Sequence, residues 1–131
     1  MSVVGVGVDA IEIARVRAAL LRTPGLLERV WTIDERACCV TRCGDWRYGG
    51  LAARFAAKEA VAKAFGTGIR GFSFRDVEVG NDELGRPHVA LHGGAAAIAA
   101  ELGVGTVHLS LSTSHQLAVA NAVLESDGAG A

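Results

Sequence analysis

The hydrophobic pattern of the first thirty-five residues predicts one short strand followed by helices. Residues 4–8 alternate valine with glycine, a period of two that is typical of a strand. Asp9 ends this strand, and Glu12 three residues later completes a capping box for a helix over 10–21. Residues 32–35 begin with Thr and end with Glu, which predicts a second helix start of the same kind.

Residues 51–65, LAARFAAKEAVAKAF, are the most strongly helical stretch of the chain. They contain no Gly or Pro, and eleven of the fifteen are apolar, on every side of the projected helix. A helix that is apolar all round is buried, so we expect a long central buried helix. Its charged residues must be paired, bound to a ligand or catalytic, because an unpaired buried charge is prohibitive. They are Arg54, Lys58, Glu59 and Lys63, with Lys58 near the middle of the apolar stripe.

The second half of the chain predicts four strands and one helix. Apolar runs bounded by turn residues predict the strands, which cover 74–79, 88–91, 106–112 and 117–124. An Ala-rich segment over 94–102 predicts the helix. Because helices and strands are segregated rather than alternating, the fold class is α+β. We expect the last six residues, 126–131, to form a disordered tail.

Length and charge restrict the class of function. The 131 residues fit one domain, which we place over 1–131, and half of them are hydrophobic. Thirteen basic against fourteen acidic residues give a net charge of −1, which leaves no basic field for nucleic acid. No apolar stretch reaches the roughly 18 residues of a membrane span, and no leader pattern opens the chain. We therefore expect a cytoplasmic protein with no membrane partner.

Small residues dominate the composition. Ala (23) and Gly (17) make up nearly a third of the chain, and only 5% is aromatic. A core of such residues depends on close backbone packing rather than on large side chains, and such domains often add buried area by oligomerising.

The three cysteines, Cys38, Cys39 and Cys43, lie within six positions. Their number is odd, two are adjacent, and no further Cys or His lies at zinc-finger spacing. Neither a disulfide framework nor a zinc site is favoured, and reduced thiols in a cytoplasm are the simple interpretation.

Asp9 and Glu59 are the candidate metal-binding residues that the sequence itself suggests. One carboxylate ends a predicted strand, and the other lies on a helix too apolar for the surface. Two carboxylates that converge beside Lys or Arg can hold a hard cation such as Mg²⁺ together with a phosphate. The alternatives are an N-cap role for Asp9 and an i, i+4 ion pair between Glu59 and Lys63.

Four segments resemble, in order, the signatures of holo-acyl-carrier-protein synthases. GVGVDAIEIARV is similar to the G-[IV]-G-x-D-x-x-x-x-x-R element of that family, and RFAAKEAVAKAFGTGI to F-x-x-K-E-A-x-x-K-A-x-G. DVEVGNDELGRPHVAL resembles the family's strand–turn–strand, and HLSLS its last motif. The resemblance covers Val3 to Glu125. It implies a 4′-phosphopantetheinyl transferase-like fold, with a small antiparallel sheet packed on a long central buried helix.

The resemblance implies a transferase that moves 4′-phosphopantetheine from coenzyme A to a serine of an apo acyl carrier protein, leaving adenosine 3′,5′-bisphosphate. It implies that Asp9 and Glu59 bind Mg²⁺ and, with Lys63, form the catalytic group, Lys63 contacting the phosphates. Other residues implied to bind coenzyme A are Arg54, Gly66, Thr67, Gly68, Arg86, Pro87 and His108. A homotrimer with sites at subunit interfaces is implied as well. Whether the carrier serves fatty acid or polyketide synthesis stays open.

Three arginines on the first predicted helix are candidates for contact with the carrier protein. The resemblance implies that Arg15 meets the acidic carrier surface, together with Arg17 and Arg22. A solvated helix face is the alternative for Arg17 and Arg22.

The last motif departs from the family at one position. Thr113 occupies the place of the family's histidine, and His115 follows two residues later, about 7 Å further along a strand. The role of His115 as a general base is therefore open. The alternative function is a catalytically silent relative that keeps the coenzyme A pocket.

Overall fold

The computed structural model describes residues 1–127 and confirms the α+β class. Its strands are β1 (Val3–Glu12), β2 (Val77–Asn81), β3 (Pro87–Leu91), β4 (Val104–Thr113) and β5 (Leu117–Ser126). Its helices are α1 (Ile13–Arg22), α2 (Leu26–Val30), α3 (Ile33–Ala37), α4 (Tyr48–Phe65) and α5 (Gly93–Leu102). No helix in the described range is long and apolar enough to cross a membrane.

The strands form two antiparallel sheets around α4. One sheet has the order β1-β5-β4, and β2 pairs with β3 in a separate hairpin. The side chains of Ala118, Ala120, Ala122 and Leu124 alternate along β5 and are fully buried. They belong to the cores that α4 also enters, so the predicted sheet on a buried central helix is confirmed.

Two glycines let β1 lie unusually close to α4. A Cβ atom placed on Gly7 would lie 1.9 Å from the carbonyl oxygen of Ala60, and one on Gly5 would lie 2.0 Å from that of Ala64. Distances this short leave no room for any side chain. Val6 and Val8, on the other face of β1, are 61% and 57% exposed. Backbone contact therefore replaces large side chains at this interface, as the composition predicts.

Lys58, one of the charged residues on the buried helix, is paired within the protein. Its fully buried ammonium donates to Glu35 Oε1 at 2.8 Å and to the carbonyl oxygens of Phe74 and Val77. All three ammonium protons are thus used. Burial lowers the pKa of Lys58, and the Glu35 carboxylate partly opposes that shift.

Glu35 is held in place by the capping box predicted at residues 32–35. Thr32 Oγ1 accepts from the Glu35 amide, and Glu35 Oε1 accepts from the Thr32 amide. The second carboxylate oxygen accepts from the amide of Val79 at 2.9 Å. Glu35 therefore joins α3, α4 and β2.

The boundary between β1 and α1 differs from the prediction. Asp9 neither ends the strand nor caps the helix, because β1 continues to Glu12, which is the N-cap of α1 and makes no side-chain capping bond. Residues 10–12 pair with residues 117–119 of β5. This ladder, formed with a distant segment, outweighs the local capping signal.

Two other boundaries shift. The predicted strand over 74–79 begins as a turn of 3₁₀ helix, because Ser73 and Asp76 cap that turn reciprocally. Of the predicted disordered tail, Ser126 belongs to β5, and residues 128–131 lie outside the described range.

Gly7→Ala tests the close approach of β1 to α4. The added methyl group must push the strand from the helix, so we expect a loss of about 2–3 kcal/mol or more in the free energy of unfolding, measured by urea denaturation. Gly25→Ala is the matched control, because its Cβ would only touch the end of the Arg29 side chain, at 3.4 Å, and it should be nearly neutral. Equal stability of both variants would contradict the packing argument.

Candidate active site

Asp9 and Lys63 meet where β1 crosses α4. Asp9 pairs with Ala120 in the sheet and faces the helix, and its side chain is 18% exposed. Lys63 Nζ donates to Asp9 Oδ1 and to the carbonyl oxygen of Val8, both at 3.0 Å. The Lys63 side chain is half exposed, so its ammonium can also face a ligand from solvent.

Glu59 lies one helical turn before Lys63 and shares this site. Its pKa is raised, first by partial burial and then by the nearby negative charge of Asp9, while Lys63 opposes the shift. The Asp9 charge thus lies near enough to Glu59 to act on its carboxyl group, and a metal ion shared by the two carboxylates stays a prediction. The predicted alternative, an ion pair between Glu59 and Lys63, is not formed, because Lys63 binds Asp9 instead.

Arg54 is a nearly buried guanidinium without an acidic partner. It is 8% exposed and donates from Nη2 to Asn81 Oδ1 at 3.1 Å and from Nη1 to the carbonyl oxygen of Gly50 at 3.4 Å. Its Nε has no hydrogen-bond partner within residues 1–127, and no carboxylate there forms an ion pair with it. A buried cation with an unused donor is suited to an anionic ligand.

The glycines after α4 leave open backbone at its C-terminal end. Gly66 caps the helix with φ +83° and Gly68 has φ +66°, a left-handed conformation that favours glycine. No atom lies within 4 Å of a Cβ placed on either residue. Thr67, between them, is exposed, and its hydroxyl donates to the carbonyl oxygen of Gly68. A ligand can therefore approach this backbone closely.

The β2–β3 turn carries the predicted residues Arg86 and Pro87. Arg86 Nε forms an ion pair with Asp82 Oδ2 at 2.9 Å and remains exposed. Pro87 pairs with Asn81 across the hairpin. Because Asn81 also contacts Arg54, this turn lies beside the buried guanidinium.

The structure does not bring His108 to the carboxylates within one chain. His108 pairs with Val123 on the outer face of the sheet and contacts Glu125 at 3.3 Å, whereas Asp9 faces the helix on the inner side. Thr113 is the last residue of β4. His115 is exposed in the turn that follows rather than in a strand.

Two of the α1 arginines border an apolar hollow of about 340 Å³. Arg15 and Arg22 lie at this hollow, whose apolar lining includes Trp31, Phe55 and Phe74. Arg17 points elsewhere, with its guanidinium 5.8 Å from the centre of the Tyr48 ring. The structure thus separates Arg17 from the other two.

Sequence reasoning missed two residues that organise the site. Glu35 is recognisable only as a helix cap, and the sequence does not connect it with Lys58. Asn81 looks like an ordinary turn residue, because its contact with Arg54 joins positions 27 residues apart.

Comparison with known proteins agrees with this geometry. The family model of the 4′-phosphopantetheinyl transferase superfamily matches residues 5–120. A holo-[acyl-carrier-protein] synthase of Moorella thermoacetica is 49% identical over 121 residues, which cover 92% of each chain.

Solved structures agree as well. The holo-[acyl-carrier-protein] synthase of Neisseria meningitidis superimposes with a TM-score of 0.83 at 34% identity, over 95% of this chain and 99% of that one. That of Bacillus anthracis, in complex with CoA (3′,5′-ADP), gives a TM-score of 0.77 at 39% identity, over 95% and 98% of the two chains. The chain therefore belongs to the holo-acyl-carrier-protein synthases of the 4′-phosphopantetheinyl transferase superfamily.

Proposed function

We propose that the chain transfers 4′-phosphopantetheine from coenzyme A to a serine of an apo acyl carrier protein in a Mg²⁺-dependent reaction. The observation that carries this proposal is the ion pair between Asp9 and the half-exposed Lys63, with Glu59 one helical turn before Lys63 on α4. Opposed carboxylates and a half-exposed lysine suit a pyrophosphate that arrives with a cation. The other product is adenosine 3′,5′-bisphosphate.

The donor set fits Mg²⁺. Asp9 and Glu59 supply two carboxylates, and no cluster of three or more ligating side chains lies within residues 1–127, so the protein alone does not form a complete metal site. Mg²⁺ is usually held by one or two carboxylates and completes its shell with substrate phosphate and water. Asp9 and Glu59 would hold the ion. When bound, it would neutralise charge on the pyrophosphate.

Two basic side chains of this protein are proposed to bind the phosphates of coenzyme A. Lys63, half exposed beside the carboxylates, is placed to contact the pyrophosphate and stabilise charge on the leaving group. Arg54, a buried guanidinium that forms no ion pair within residues 1–127, would bind a phosphate of the nucleotide portion. Gly66, Thr67 and Gly68 supply open backbone, and Arg86 and Pro87 line the turn beside Arg54.

Glu59 is the side chain best suited to take the proton of the attacking serine, directly or through a water molecule. Phosphoryl transfer depends more on positioning and charge neutralisation than on deprotonation, which suits a carboxylate held beside the phosphates. His115 instead lines an open hollow with Glu12, Arg17 and Tyr48, where β1 meets α1.

The hollow beside α1 is proposed as the docking surface for the carrier protein. Its apolar lining suits an exposed side chain of an amphipathic helix, and Arg15 and Arg22 at its border suit acidic residues around that side chain. Acyl carrier proteins are acidic, so this combination fits the partner that the reaction requires.

A homotrimer is proposed from the outer face of the three-stranded sheet. Val6 and Val8 are more than half exposed, and Val123 of β5 lies directly opposite Val6. Such a face gains stability when a second copy covers it. His108 lies on this same face, so it could reach only the active site of a neighbouring subunit.

The cytoplasm is proposed as the compartment. Cys38, Cys39 and Cys43 are free, and Cys38 and Cys43 are exposed. Exposed free thiols persist in a reducing environment.

Glu59→Gln tests the carboxylate pair in two ways. Turnover should be abolished, as in Asp9→Ala. The apo protein should also become more stable at pH 7, because the raised pKa means that ionised Glu59 destabilises the fold above its unfolded-state pKa. We expect a higher melting temperature at pH 7, and the difference should shrink as the pH falls through the folded pKa and Glu59 becomes neutral in the wild type. Near wild-type turnover in saturating Mg²⁺ would contradict the shared site.

Arg15→Glu tests the docking surface. Reversing this charge should raise the KM for the carrier about fivefold or more. The KM for coenzyme A should stay unchanged, because coenzyme A is proposed to bind elsewhere. Arg17→Glu is the matched control, since Arg17 lies over Tyr48 and not at the hollow. Steady-state kinetics with each substrate varied in turn gives the answer. An equal rise for both substrates would remove Arg15 from the interface.

His115→Ala tests whether that histidine replaces the one absent at Thr113. We expect a loss in kcat of less than about tenfold, whereas loss of a true general base costs about 10²–10⁴-fold. Thr113→His should leave activity unchanged or raise it. A collapse in His115→Ala, with loss of the pH-profile limb at about 6–7, would instead identify His115 as the base.

A further inference from the structure

Asn81 connects the buried Arg54 guanidinium to the β2–β3 turn. Its Oδ1 accepts from Arg54 Nη2 at 3.1 Å, and its Nδ2 donates to the carbonyl oxygen of Gly85 at 3.0 Å. The opposite amide orientation would place donor against donor and acceptor against acceptor, so both neighbours fix the same orientation. The side chain therefore forms a defined bridge.

This bridge holds Arg54 without neutralising it. The contact to Gly50 is long at 3.4 Å, so Asn81 makes the shorter of the two side-chain hydrogen bonds that Arg54 forms within the described chain. An amide oxygen orients a guanidinium but leaves its full charge for a ligand, whereas a carboxylate would cancel that charge. The combination suits an arginine that must be rigid and still cationic.

We propose that Asn81 is a positioning residue that holds Arg54 in the orientation that binds a phosphate of coenzyme A. The same side chain ties Arg54 to the turn that carries Arg86, so it links the segments that hold the two cations. Asn81 acts through Arg54 and does not itself contact the phosphate. This inference rests on the proposed function, because the ligand is the nucleotide portion of coenzyme A.

The test measures binding of adenosine 3′,5′-bisphosphate to the full chain by calorimetry. Asn81→Ala should weaken binding about 3- to 10-fold, the range expected for one lost hydrogen bond that orders a charged group. Asn81→Asp, which keeps the shape, should weaken it about tenfold or more, because the new carboxylate pairs with Arg54 and repels phosphate. Glu83→Ala, in the same turn, is the control and should bind like the wild type. The KM for the carrier should stay unchanged in every variant.

A double-mutant cycle separates positioning from direct contact. If Asn81 acts through Arg54, Asn81→Ala should change affinity less than about twofold in an Arg54→Met background. An equal loss in both backgrounds, or wild-type affinity in both Asn81→Ala and Asn81→Asp, would overturn the inference. Asn81 is exposed, so its variants should fold, and their thermal melting confirms it. Failure of the wild type itself to bind the nucleotide would instead contradict the proposed function.

Discussion

Lys58 puts a positive charge on the buried face of α4, and only one rotation of α4 gives that charge its partners. The partners are Glu35 and two backbone carbonyl groups, which lie on different segments of the chain. A buried ion pair adds little net stability relative to apolar packing, but losing one partner costs about 3–5 kcal/mol. The main effect of the Lys58–Glu35 ion pair is therefore to fix the rotation of α4 about its axis. With Lys58 locked, the next residue, Glu59, turns about 100° around the helix and faces Asp9 on β1.

The close approach of β1 to α4 completes this arrangement. Because Gly5 and Gly7 bring backbone against backbone, the strand carries Asp9 within reach of Lys63 and near Glu59. The site places two carboxylates near one lysine, and Arg54 forms no ion pair within residues 1–127. Such sites trade stability for function, and a ligand that brings a cation and phosphates would satisfy both groups.

The sequence predicts the parts of this structure that depend on local chemistry. Residues 51–65 are apolar on every side of the projected helix, which predicts that the helix is buried. The Thr32–Glu35 pattern predicts a capping box, which the structure contains. Predictions fail where contacts with distant segments of the chain determine an element boundary or a side-chain partner. Pairing with β5 extends β1 past Asp9, and the identity of the partner of Lys58 depends on how α3 packs. The placement of His108 on the outer face depends on the register of β4, which a single sequence does not reveal.

We propose that this site is catalytically competent although Thr113 replaces the family's histidine. The most direct test is intact mass measurement of an apo acyl carrier protein incubated with the chain, coenzyme A and Mg²⁺. We expect a mass increase of one phosphopantetheinyl group on the carrier serine, abolished by chelation of Mg²⁺. No increase over a panel of apo carriers, with folded protein that still binds coenzyme A, would contradict it and identify a silent binding relative.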